Sequence, residues 1–206
     1  MDTWHALDEE RSALADDLAA LADSQWNAQS LCGKWKVRHV VGHLIFGADM
    51  ATVPVLAGLI RNGLNFNRFM ARKGLEIGAL PPGELLGQFK RTIGTRRTLP
   101  GAAPEILLID VVCHSADIRR PAGLSRTVPE ATLLTVADTV KDTGFPLHAR
   151  KRVAGLHLSA TDSDWTTGDG APVEGPLESL ILVMTGRKAP LEDLSGAGKQ
   201  TLAART

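Results

Sequence analysis

The chain has no tyrosine, only 4% aromatic residues in 206 positions, and no charge of one sign in excess: 23 lysines and arginines stand against 23 aspartates and glutamates. Proteins that grip nucleic acid work through a basic field and stacked rings, so nucleic acid is not an expected partner. Two cysteines make no disulfide framework and point to a reducing compartment with both thiols free. No run approaches the roughly 18 uninterrupted apolar residues of a membrane helix. The longest ones are broken by Asp49, Asp110 and His114. At the amino terminus Asp2, Glu9, Glu10, Asp16 and Asp17 interrupt any apolar signal segment, so the mature chain is expected to start near Met1 and to stay in the cytoplasm, away from membranes. What is present, 44% hydrophobic and 22% charged residues, is ordinary globular composition and excludes disorder, collagen and coiled coil. The length suits one large domain or a large and a small one.

Helical periodicity dominates the first 150 residues. Leu7, Leu14, Leu18 and Leu21 recur at helical spacing among acids over residues 3–23. After a loop at 30–36, an apolar pattern too long for a strand predicts one helix from Val37 to about Arg61. Prolines at tolerated first-turn positions open three more, over residues 81–97, 104–120 and 129–143. Beyond the basic cluster Arg150, Lys151 and Arg152 the texture changes. Leu156, Leu158 and Ala160 alternate with polar residues as in a half-buried strand, a short strand is expected near Val173, and Pro176 opens a helix to Gly186. The reading is α+β: a helical bundle over residues 1–148 and a small mixed α/β domain over 149–206.

The helix at 104–120 is apolar around most of its circumference, yet Asp110, His114 and Asp117 are spaced i, i+4, i+7 and fall within an arc of about 60°. A carboxylate and an imidazole one turn apart can bind a divalent cation, as in bundles that project such pairs inward. A buried Asp–His hydrogen bond that only satisfies itself has the same spacing. A third ligand has to come from another helix. His43 borders the apolar face formed by Val37, Val40, Val41, Leu44 and Ala48, whereas His39 lies toward Arg38 and Asp49. Gly42 and Gly47 beside His43 would admit a close neighbour. Two histidines and one carboxylate leave an open position, as catalytic zinc sites do, although the set also suits non-haem iron.

The segment Leu31-Cys32-Gly33-Lys34-Trp35-Lys36-Val37-Arg38-His39-Val40-Val41-Gly42-His43-Leu44 resembles the Gly-Trp-x-Val-Arg-Asp-x-x-x-His-Leu signature of the mycothiol-dependent maleylpyruvate isomerase-like family, a branch of the DinB-like four-helix metalloenzymes. Asp110 to Pro121 is similar to that family's second motif, an acid and a histidine one turn apart followed by Asp-Ile. The tail, with Asp164-Trp165, Gly175-Pro176 and Thr185-Gly186-Arg187, resembles its small sterol-carrier-like domain. The resemblance implies a DinB-like bundle in which His43, Asp110 and His114 bind a divalent metal, usually zinc. It further implies a reaction with mycothiol on a small electrophile. Isomerisation would run by thiol addition, bond rotation and elimination, and S-transfer would stop after addition. Two positions depart from the pattern: Asp110 where Glu is commoner, and His39 where Asp is usual.

The same reading gives Asp117 and Arg187 as catalytic candidates, Asp117 as an acceptor orienting the His114 ring or a salt-bridge partner, Arg187 by resemblance or as a helix-end cation. Arg119 and Arg120 are candidates for holding the cofactor or for compensating the helix dipole. Cys113 is expected to pack in the core and Cys32 to lie near the site without acting as the nucleophile, while Trp35 and Trp165 are expected packing anchors. The expected partners are a small thiol and a small electrophile, with the chain a monomer or homodimer. Two alternatives stand beside this reading. One is a zinc-dependent hydrolase using metal-bound hydroxide, with Asp117 or His39 as base, and the other a non-catalytic small-molecule or lipid binder.

Overall fold

The computed structural model describes residues 2–33, 35–50, 52–98 and 101–206; Met1, and Lys34 of the first motif, lie outside the described residues. By internal contacts the chain divides into two compact units, residues 2–126 and residues 127–206.

The first unit is helical: α1 (Thr3–Ala20), the short α2 (Asp23–Trp26), α3 (Val37–Ala48), α4 (Thr52–Arg61), α5 (Phe66–Gly78), α6 (Pro82–Lys90) and α7 (Glu105–Ala122). Asp2 caps α1 by accepting from the amides of Trp4 and His5. α7 is central, packing on α1 and α3, and it ends where Gly123 adopts a left-handed conformation, φ 68°. Pro121 sits in its last turn, one residue later than the expected stop. The single helix expected over 37–61 is two. Asp49 leaves helical geometry at φ −129°, ψ 39°, and no proline or glycine at that position announces the break.

The densest packing is between α3 and α5. It depends on glycine: a Cβ at Gly42 would stand 2.5 Å from the carbonyl oxygen of Gly74 and 2.6 Å from the amide nitrogen of Gly78. Those are backbone atoms and cannot swing away, so the two helices meet at a distance that only glycine allows.

In the second unit α8 (Glu130–Lys141) and α9 (Ala149–Val153) precede a three-stranded sheet, β1 (Leu156–Ala160), β2 (Thr166–Thr167) and β3 (Ala171–Gly175), in the order β2-β1-β3. β1 pairs parallel with β3, Leu158 opposite Val173, and antiparallel with β2. α10 (Leu177–Met184) buries every residue but Glu178, the Asp162 carboxylate accepting from its Leu177 amide at 2.9 Å. A 3-10 turn (Ala189–Asp193) and α11 (Lys199–Arg205) follow. α8, which the sequence reading counts with the bundle, packs on α10, and the Trp165 indole donates to Asp138 at 3.1 Å. Trp165 is thus the packing anchor expected of it, 5% exposed. The fold class is α+β, as expected. Among the described residues no helix is long and apolar enough to cross a membrane.

Candidate metal centre

α3 brings His43, and α7 brings Asp110 and His114, to one place in the first unit. The glycine contact with α5 reaches the site directly, since a Cβ on Gly74 would lie 3.2 Å from the His43 Cβ and 3.3 Å from the Trp35 ring. One turn beyond His43, Gly47 faces the carboxylate: a Cβ there would stand 3.4 Å from Asp110 Oδ2, in ordinary van der Waals contact.

His43 Nε2 lies 3.3 Å and His114 Nε2 3.5 Å from the same atom, Asp110 Oδ1. On the far side of the ring, His114 Nδ1 is 2.8 Å from Asp117 Oδ2, a fully buried carboxylate. An ionised carboxylate only accepts hydrogen bonds, so this contact holds the proton of a neutral His114 on Nδ1 and turns the Nε2 lone pair toward Asp110. Lone pairs facing each other across 3.5 Å are relieved by a proton on the nitrogen or by a cation held between them. Around a zinc ion with bonds of about 2.0–2.1 Å, the edge of the ligand tetrahedron is about 3.3–3.4 Å, the separation found here. The donor set and its spacing therefore fit a divalent metal. His43 Nδ1 is buried with no hydrogen-bond partner among the described residues, so Nε2 is the ring atom of His43 turned to a polar neighbour.

Three further groups surround these ligands. The Trp35 ring lies 5.3 Å from that of His43 and 6.4 Å from that of His114, a wall over both imidazoles that sequence reasoning takes only as a packing anchor. Cys32 is half-buried, its sulfur within 4.8 Å of ligand atoms of His114 and Asp117, and the Leu31 amide donating to the Asp117 carbonyl at 3.1 Å ties that loop to α7. Arg11, 4% exposed, has its Nη1 on the Thr92 carbonyl at 2.8 Å and on Thr95 Oγ1 at 3.1 Å. Burial lowers its pKa, while the fields of Asp8 and Asp110 raise it, so a buried cation stands in range of the candidate ligand. In the first helix it falls on the same face as Leu7, Leu14 and Leu18, so a charge within that apolar stripe is the signal that could have singled it out.

The remaining candidates separate. His39 does not face the centre: its Nδ1 accepts from the Lys36 amide at 3.2 Å and caps α3. Burial, helped by Arg38 and Lys36, lowers its pKa. A histidine whose folded pKa is lowered stabilises the fold fully above its unfolded value near 6.5 and loses that contribution as pH falls through the window below it. His39→Asp, which keeps an acceptor at that position to lower pH, is expected to give a flatter stability profile than the wild type below pH ~6.5 in chemical denaturation. Arg119 is 5% exposed, paired through Nε with Asp17 and 3.9 Å from Glu10, so it faces α1 and not a cofactor. Arg120 is half-buried at the end of α7. Arg187 lies in the second unit, Nη1 3.5 Å from the Thr185 carbonyl. Cys113 is buried, as expected of a core thiol.

Comparison with known proteins bears out the resemblance. Residues 7–72 match the family model described as the mycothiol maleylpyruvate isomerase N-terminal domain, a stretch that includes His43. Crystal structures of a mycothiol-dependent maleylpyruvate isomerase and of a histidine-to-alanine mutant of such an isomerase are similar in fold. Both have a TM-score of 0.66 over 96% of this chain and 92% of theirs, at 17% and 16% sequence identity respectively. Comparison with curated protein sequences gives no match.

Proposed function

We propose that this chain, which carries the N-terminal domain of the mycothiol maleylpyruvate isomerase family, is a divalent-metal enzyme that uses a low-molecular-weight thiol, mycothiol, to act on a small electrophile. The observation that carries this reading is the convergence of two imidazole nitrogens on one oxygen of Asp110 at 3.3 and 3.5 Å, with His114 held from behind by Asp117. His43, Asp110 and His114 would hold the metal, zinc before iron for this donor set, and three protein donors are one short of a closed structural site. When bound, the metal favours the thiolate form of the cofactor at neutral pH.

The chain's own residues prepare the centre. Asp117 fixes the tautomer and the plane of His114, so its nitrogen is aimed before any ligand arrives. Trp35 covers one side of both imidazoles with an apolar face and excludes water there. Neither cysteine is placed to replace the thiol of the cofactor: Cys113 is in the core and Cys32 stands beside Asp117 rather than the His43–Asp110 edge. The hydrolytic alternative needs a free general base, and both candidates are occupied, Asp117 by His114 and His39 by the cap of α3. Isomerisation of an unsaturated dicarboxylate and S-transfer use the same centre, and Arg187 as a catalytic residue rests on the family resemblance alone.

The test is turnover of a cis-unsaturated dicarboxylate and of simple alkylating electrophiles by metal-loaded protein, with and without mycothiol. Turnover is expected only with the thiol; equal turnover without it overturns the reading. Asp117→Asn, which replaces the charged acceptor behind His114 by a neutral amide that can also donate, is expected to lower metal affinity roughly 10–100-fold by competition with a chelating dye while the fold is kept.

A further inference from the structure

A second polar site lies in the first unit, apart from the candidate metal centre. A cavity of about 550 Å³ is lined by Ile45 of α3, Asp49 just beyond its end, Gln88 of α6, and Arg91, Thr92, Thr95, Arg96 and Arg97 from the segment after α6. At 100° per residue Ile45 is about 160° around α3 from His43, so the cavity and the metal ligands take opposite sides of that helix.

Its walls are strongly cationic in a chain whose net charge is zero. Three guanidinium groups line it against one carboxylate, and they differ in how far they are neutralised. Arg96 is paired with Asp8 and lies 5.2 Å over the Trp4 ring. Arg97 is paired with the exposed Asp49. Arg91 has no side-chain ion pair or hydrogen bond among the described residues. Behind this wall a fourth cation, the buried Arg11, is fastened to Thr92 and Thr95. Compensation of a helix dipole accounts for Lys90 and Arg91, at the end of α6, but Arg96 and Arg97 lie too far along the chain to serve it. Planar guanidinium forks match carboxylate and phosphate oxygens two at a time.

The geometry points to a binding site for a small, multiply charged oxyanion in this cavity, recognised by Arg91 and Arg97. Arg96, already held by Asp8, fixes the wall. Arg97 exchanges its exposed partner Asp49 for the ligand, which costs little because such surface pairs are weak.

The test uses isotope-labelled full-length protein titrated with succinate and, separately, with inorganic phosphate. Binding is expected to shift the amide resonances of Gln88, Thr92 and Thr95 to Arg97, not those of His43, Asp110 and His114. The double variant Arg91→Gln/Arg97→Gln is expected to bind at least tenfold more weakly, with an unchanged thermal transition, because neither side chain supports the core; Arg68→Gln on α5 is the control. Saturation by succinate identifies a carboxylate ligand and by phosphate a phosphorylated one. Shifts confined to the metal ligands, equal binding by the double variant, or no shift with either probe at millimolar concentration overturn the proposal. These outcomes do not depend on the metal, so they leave the proposed function to its own test.

Discussion

His43→Ala is expected to abolish stoichiometric binding of zinc or cobalt, while His39→Ala leaves it intact. Removing a donor outright should cost more than the roughly 10–100-fold that follows loss of a group behind a ligand, because a carboxylate and one imidazole no longer make a site. His39 is the fitting control: four residues away on the same helix, it caps α3 through Nδ1 and faces no other donor. Elemental analysis after dialysis, together with the visible spectrum of cobalt-loaded protein, reads both variants. Equal retention of metal in the two would show that Asp110 and His114 bind without α3.

Arg126→Ala is expected to destabilise the first unit by about 3 kcal/mol, the lower end of the range for leaving a buried charge without its partner, since Glu10 is buried although Arg126 itself is 27% exposed. Glu10 is 1% exposed, and Arg126 grips both of its oxygens, at 2.7 and 3.2 Å. That grip holds the Arg126 guanidinium above its ordinary pKa. Without it Glu10 keeps, among the described residues, only Arg119 at 3.9 Å, a guanidinium already committed to Asp17. At this chain length the loss corresponds to a fall in Tm of roughly 6–12 °C. The double variant Glu10→Ala/Arg126→Ala should recover part of it, since the uncompensated charge is then gone. A double variant as unstable as the sum of the two singles would mean the pair is not coupled.

The convergence of the candidate ligands is legible in the sequence because its signal is a spacing. Asp110, His114 and Asp117 share a face at any reasonable helix geometry, and the border position of His43 on α3 separates it from His39 without knowledge of packing. Asp117 orienting His114 follows from the same count. The parts that escaped are those in which small residues carry the packing. α5 buries Phe69 and Met70, but its contact with α3 is made by Gly74 and Gly78, and glycine within a helical stretch reads as a breaker until a glycine of α3, Gly42, is seen pressed against it. The break after Ala48 has no local signature, so one long helix was the natural reading. Arg119 shows the converse limit. Its place at a helix end is compatible with a dipole, a ligand or an ion pair, and only the nearness of α1, with Glu10 and Asp17, decides for the last.

α7 has a consequence for how much the chain tolerates change. From Leu107 to Arg119 every side chain but Asp110 is buried, and Asp110 belongs to the candidate centre. One side of the helix carries the candidate metal ligands, another the ion pairs to α1, and the rest the core. A saturation mutagenesis scan selecting for folded protein should therefore find an almost unbroken block of thirteen intolerant positions, with Ile106, 43% exposed, as its permissive edge. Change in this unit has to enter elsewhere, through exposed positions of α5 and α6 and the loops between helices.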